Sequence, residues 1–214
     1  MKFLDELDPE DSLSEILFGL IMVLTFTLGA GIAAGQGAPK GIIVSAVGCN
    51  VAWGVIDGFF YIMGSWFNRS QRARVIGRFR TNPDKAKALA AIADELEPLL
   101  GPVQESDRKA LYESVYQSIA HAKPTAARVT RDDLNGALAV FVLVSATAIP
   151  AAIPFFFIAD HYTALRVSNF LLIALMFGVG FSWAKYTQAN PWLAGLGLTV
   201  IGLVLVGIAI LLGG

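Results

Sequence analysis

Long apolar runs recur five times along this chain, and one polar stretch interrupts them. An α-helix needs about twenty residues of this kind to cross the hydrocarbon core of a bilayer. The first run covers 13–35 and carries Glu15 at its edge. A short break at 36–40 leads to the second run, 41–66, whose only charge is Asp57. The third run is 135–158, followed by a loop around Asp160 and His161. The fourth and fifth runs are 164–185 and 192–212. The pattern predicts an all-α polytopic membrane protein with five transmembrane helices and a helical insertion between the second and third.

The insertion differs in kind. Residues 67–134 hold 12 Lys and Arg and 9 Asp and Glu. The chain therefore divides into a tail with two spans (1–66), a polar domain (67–134) and three further spans (135–214). Within the insertion, Asn82-Pro83 predicts a helix start. Leu89, Ile92, Ala93, Leu96 and Leu100 follow at helical spacing, and Pro98, Gly101 and Pro102 are expected to end that helix. A second helix is expected from near Ser106, with Leu111, Val115 and Ile119 on one face and Tyr112 and Tyr116 beside them. The basic run 69–80 is expected to continue the second span as a helix. Helices this short bury little core alone, so packing on a second copy of the chain, a homodimer, is expected.

Charge gives the orientation. Arg69, Arg72, Arg74, Arg78 and Arg80 follow the second span, and Arg128 and Arg131 precede the third. Lys and Arg next to spans mark the cytoplasmic side. The N-terminus and residues 67–134 are thus expected in the cytoplasm and the C-terminus across the membrane, with a bacterial inner membrane as the default host and lipid as the main partner. The N-terminus does not read as a signal peptide, because its first charges, Asp5, Glu6, Asp8, Glu10 and Asp11, are acidic.

Composition agrees with the pattern. The chain has 214 residues, 55% of them hydrophobic and 15% charged, where soluble domains carry about 25% charged. Mean hydropathy is +0.61. The net charge of -1 says nothing about partners, because the charges are segregated, and no nucleic-acid partner is expected. The single cysteine, Cys49, precludes an intramolecular disulfide. No Ser/His/Asp set, Gly-rich phosphate loop or paired-Cys motif is present, so an enzyme is not expected. Both histidines lie outside the runs, which argues against haem held between histidines in the membrane, and no permanently bound cofactor is expected.

Asp57 carries the most information. A carboxylate deep in a span costs about 2.5–3.5 kcal/mol on insertion scales, so such residues mark ion or proton pathways. Asn50, Gly54, Asp57, Tyr61 and Gly64 share one helix face, and that polar or small stripe must face other helices or water. The plainer reading is an Asp satisfied by a neighbouring helix, through Asn169 or a Ser or Thr. Glu15 is a candidate entry residue, or else an ordinary capping group for Ser12 or Ser14. Met22, Met63, Met176 and Cys49 place sulfur in the spans, which suits softer metals, although Met more often fills core gaps. Glu95 and Glu97 on one insertion helix and Glu105 and Glu113 on the next are candidate divalent-metal ligands, against the commoner reading of a solvated face. Pro150 and Pro154 should bend the third span. Gly31 with Gly35, and Gly195 with Gly202, form small-residue rows for close helix packing.

In layout the chain resembles the vacuolar iron transporter family. Ser14 to Thr27, SEILFGLIMVLTFT, is similar to that family's first span. GALAVFVLVSATAIPAAIPFF resembles its third span, and LAGLGLTVIGLVLVGIAILLGG its Gly-rich last span. The family's first-span Gly-x-x-Asp-Gly-Leu motif has Met22 in place of the Asp, and the pattern stands one span later as Gly54-Val55-Ile56-Asp57-Gly58-Phe59. Met63 matches a family methionine near the end of the second span, whereas the accompanying Glu is missing. The resemblance implies a dimer that exports a divalent metal, ferrous iron or manganese, from the cytoplasm in exchange for protons. Asp57 would then be the metal or proton site, with Asn50, Met22 and Met63 as lesser partners and Glu15 receiving the ion. The alternatives are a non-transporting sensor or partner-binding protein on the same scaffold, and a transporter of an organic solute.

Overall fold

The computed structural model describes residues 7–34, 41–81, 84–100, 103–121 and 127–212. All regular structure among them is helical. The helices are α1 (Pro9–Ala34), α2 (Ile42–Thr81), α3 (Lys85–Leu100), α4 (Glu105–His121), α5 (Arg131–Ala146), α6 (Ala148–Phe157), α7 (His161–Trp183) and α8 (Pro191–Leu211). Five segments are long and apolar enough to cross a membrane: Pro9–Gly29, Ile42–Arg74, Arg131–Phe157, His161–Tyr186 and Pro191–Leu211. The chain forms two compact units, one of residues 1–62 with 130–214 and one of residues 63–129.

The helix starts are set by local chemistry. Thr130 and Asp133 form a reciprocal capping box at α5. Asp160 Oδ2 accepts from the Thr163 amide at 2.9 Å and opens α7. Asn190 Oδ1 accepts from the Trp192 amide at 2.9 Å, with Pro191 in the first helical position of α8. In contrast, α1 begins at Pro9, so Ser12 and Ser14 lie inside the helix and Glu15 is not part of a capping box. The 36–40 break lies outside the described residues, as do Asn82-Pro83, Gly101 and Pro102.

The third membrane segment is two helices. α5 and α6 meet at Thr147, which belongs to neither. Pro150 explains the break: it has no N–H, so the Ala146 carbonyl loses its i+4 donor. Thr147 Oγ1 turns back and donates to the Val144 carbonyl at 2.7 Å.

The core of the first unit joins Leu20, Val23 and Leu24 of α1 to Leu172, Met176 and Val179 of α7, with Ala148, Ala151 and Val206. Gly195 and Gly202 of α8 serve the close packing expected of them. A methyl on Gly202 would stand 1.9 Å from Met176 Cε, and one on Gly195 would stand 2.7 Å from the Phe177 ring. Met176 is thus a core residue pressed against a glycine. The outer faces of α2 and α8 are apolar instead, with Phe59, Phe60, Leu193, Val200 and Leu211 exposed. In water such a surface would drive association; in a bilayer it is the face toward acyl chains.

α2 is one unbroken helix of 40 residues, about 60 Å at 1.5 Å per residue, roughly twice the hydrocarbon thickness. The basic run therefore continues the second span as a helix, as its pattern predicts. In the second unit, α3 runs through Pro98 to Leu100, so Pro98 does not end it. Ala88, Ile92 and Tyr112 are buried there, while Leu111 is exposed. The buried face of α4 thus centres one residue later than the Leu111 register. Tyr112 wins the position because its ring packs inward while its hydroxyl donates to Glu97 Oε2 at 2.8 Å.

Candidate functional site

α1 and α2 run antiparallel, and their contacts form successive layers. Cys49 Sγ lies 3.5 Å from Met22 Sδ. Asn50 Nδ2 donates to the Gly19 carbonyl at 3.2 Å. The Phe18 and Trp53 rings meet edge to face at 5.9 Å. Beyond them, the charge of Asp57 acts on Glu15. Each step toward the start of α1 is a step toward the end of α2. The two span carboxylates therefore share one end of this seam, and the two sulfur atoms share a deeper layer.

A second seam joins α2 to α5. Asn50, Gly54 and Gly58 lie on one face at four-residue spacing. A methyl on Gly54 would stand 3.0 Å from both the Phe141 carbonyl and Ser145 Oγ, and one on Gly58 would stand 2.9 Å from the Ala137 carbonyl. The Tyr61 ring occupies the space a side chain at Gly136 would need. The polar and small stripe read from the sequence is thus a helix contact over Asn50, Gly54 and Tyr61. Gly58 belongs to it, whereas Gly64 meets nothing within 4 Å.

Asn50 stands where these seams cross. It is fully buried. Its Nδ2 also donates to the Val144 carbonyl at 3.1 Å and to Thr147 Oγ1 at 2.9 Å. Two amide hydrogens thus face three acceptors, and Asn50 Oδ1 has no partner among the described residues. Ser145 Oγ and Asp57 Oδ2 are likewise buried without a hydrogen-bond partner. α2 and its contact with α5 consequently carry more oxygen lone pairs than protein hydrogens to meet them. Such a surplus suits a proton, a water molecule or a cation. Asn169 does not satisfy Asp57 Oδ2, which is buried without a hydrogen-bond partner, and Asn169 Oδ1 is unpartnered as well.

The other candidate residues have partners of their own or are exposed. Met22 is engaged with Cys49, and Met63 is exposed. In the second unit, Glu97 pairs with Arg108 and Tyr112. Glu105 pairs with Lys109 at 2.7 Å and Glu113 with Lys85 at 2.8 Å. Hydrogen bonding from Lys109 holds the Glu105 carboxyl below the usual range, and Lys85 with Gln117 does the same for Glu113. The Glu95 side chain lies outside the described residues. Among the described residues no three His, Cys, Asp or Glu side chains converge as a metal-holding group. His121 Nδ1 donates to the Gln117 carbonyl at 2.7 Å, and His161 is the exposed first residue of α7.

Sequence reasoning missed Thr147 and Ser145. The two residues sit in an apolar run as ordinary small hydroxyl residues, and only the helix break and the approach of α2 give them partners or isolate them. No known protein-family model matches this chain, and no curated protein sequence matches it.

Proposed function

We propose that this chain transports a divalent metal cation, ferrous iron or manganese, out of the cytoplasm in exchange for protons, as a divergent relative of the vacuolar iron transporters. The observation that carries this reading is the placement of Glu15 and Asp57 at one end of the α1–α2 seam, beyond the Phe18–Trp53 contact. Two carboxylates at the same end of a seam between two spans have little reason to stand in a bilayer except to bind a cation or a proton. Glu15 would take the ion from the cytoplasmic side and Asp57 would hold it or exchange it for a proton. The unpartnered oxygens of Asn50 and Ser145 would extend the path inward. In this reading the N-terminus and residues 67–134 are cytoplasmic, the host is a bacterial inner membrane, and the working form is a homodimer.

A second reading is a sensor or partner-binding protein on the same scaffold. The ion pairs that engage Glu97, Glu105 and Glu113 favour it, because those carboxylates are already matched by protein cations. Flux of ferrous iron and of manganese into liposomes, with and without a pH gradient, separates the two. Transport predicts metal flux that the gradient alters and that Asp57→Asn abolishes in a folded protein. Normal flux in Asp57→Asn sinks the site assignment, and no flux of either metal in the unaltered protein favours the sensor.

A further inference from the structure

We propose that the cavity between the start of α1 and the end of α7 binds the ammonium end of an amine-bearing phospholipid headgroup. The cavity holds about 220 Å³ and is lined by Glu10, Leu13, Trp183, Tyr186 and Thr187. Glu10 and Leu13 come from the first turns of α1. Trp183 ends α7, and Tyr186 ends the 3-10 turn Ala184–Tyr186 that follows. Both elements are ends of membrane-crossing segments, so the cavity stands at headgroup depth, where Trp and Tyr concentrate.

The lining selects the ligand. Glu10 is its only charged group, and the neighbouring Asp8 and Asp11 have the same sign. Glu10 makes no ion pair among the described residues. An anion is repelled here. A bare divalent metal finds one carboxylate and two aromatic rings, too few oxygens for its coordination shell. An organic ammonium suits all the parts: the carboxylate offsets its charge, the rings attract it through their faces, and Leu13 and the ring edges cover its methylenes. Lys185 then decides the source. It lies between Trp183 and Tyr186 in the chain, is exposed, and makes no ion pair among the described residues. A zwitterionic phospholipid supplies the phosphate that Lys185 lacks, while its amine enters the cavity. A free amine supplies only half of this match. The proposal does not depend on the transport reading.

The test uses the full chain in detergent micelles, titrated with phosphatidylethanolamine or with phosphatidylglycerol. The readout is the part of the tryptophan emission change that disappears in Trp183→Phe. Phosphatidylethanolamine is expected to shift the emission and phosphatidylglycerol is not. Glu10→Gln should weaken the response by about threefold to tenfold, the scale of one exposed ion pair with a cation–π contact. Lys185→Gln should weaken it for the phospholipid and leave the weak response to soluble ethanolamine unchanged. Glu10 is exposed, so a thermal melt matching the unaltered protein is expected for Glu10→Gln. Equal responses of Glu10→Gln and the unaltered chain overturn the proposal, as does equal binding of phosphatidylglycerol. Soluble phosphoethanolamine binding as tightly as the lipid overturns the lipid assignment and makes a soluble amine-bearing phosphate the ligand.

Discussion

Asn50 Nδ2 donates to Thr147 Oγ1 at 2.9 Å, and this contact ties the second span to the break in the third. The same amide reaches the Gly19 carbonyl of α1 and the Val144 carbonyl of α5. One buried side chain thus holds three helices at the depth where the third span loses a backbone hydrogen bond to Pro150.

Asn50→Leu should therefore destabilise the bundle by about 1–3 kcal/mol, the scale of one or two interhelical hydrogen bonds in a membrane. The loss is limited because Val144 O keeps its bond from Thr147. Equilibrium unfolding in mixed micelles reads this directly. Unchanged stability would show that the amide is not a tie.

Gly19 is sterically coupled to the same threonine. A methyl on Gly19 would stand 2.2 Å from Thr147 Oγ1 and 3.0 Å from the Val144 carbonyl. Gly19→Ala should cost about 1–3 kcal/mol through overpacking. Adding Thr147→Ala should recover part of that cost, giving a coupling of about 1 kcal/mol in a double-mutant cycle. Strict additivity would mean that the helices separate freely at this point.

Glu15 and Asp57 stand at the same end of the antiparallel α1–α2 seam, beyond the Phe18–Trp53 contact, so their effects on metal flux should not be independent. Glu15→Gln is expected to slow flux and to change its pH dependence, and it should add little once Asp57→Asn is present. Independent, multiplying effects of the two substitutions would place them on separate paths.

The α3–α4 hairpin should lose protection at both ends of the pH scale. Hydrogen bonding from Lys85 and Gln117 lowers the Glu113 carboxyl from its ordinary 4.5. Its folded value is thus below its unfolded one. The stabilisation is complete above pH 4.5 and fades as pH falls through the folded value. Tyr112 behaves in the opposite sense, because its hydrogen bond to Glu97 raises it from 10.0. That contribution is complete below pH 10.0 and fades as pH rises through the folded value. Hydrogen exchange of residues 85–121 in the intact protein, corrected for intrinsic rates, should show both losses. Protection that is flat across acid pH would assign the hairpin's stability to its apolar contacts alone.

Much of the architecture follows from local rules. Uninterrupted apolar runs give five helices long enough to cross a bilayer, and nothing distant has to agree for that to happen. The helical continuation of α2 and the bend at Pro150 are equally local. Pro98 was misleading because a proline near a helix end need not terminate it. The stripe on α2 was legible as a face, since period alone places Asn50, Gly54 and Tyr61 together. Its membership was not: Gly58 stands against the Ala137 carbonyl, while Gly64 meets nothing within 4 Å.

For the candidate site, the sequence by itself marked Asp57 and Glu15, because a carboxylate in an apolar run stands out whatever surrounds it. Tertiary structure alone decided the pairings, Met22 with Cys49 and Asn50 with Thr147, and brought Glu15 and Asp57 to one end of the α1–α2 seam. The reason is physical. Burial in a helix is periodic along the chain, so it is written locally. The register between helices is set by which side chains are small enough to let backbones approach, and Gly19, Gly54 and Gly58 fix that register only when α5 and Thr147 are brought against them.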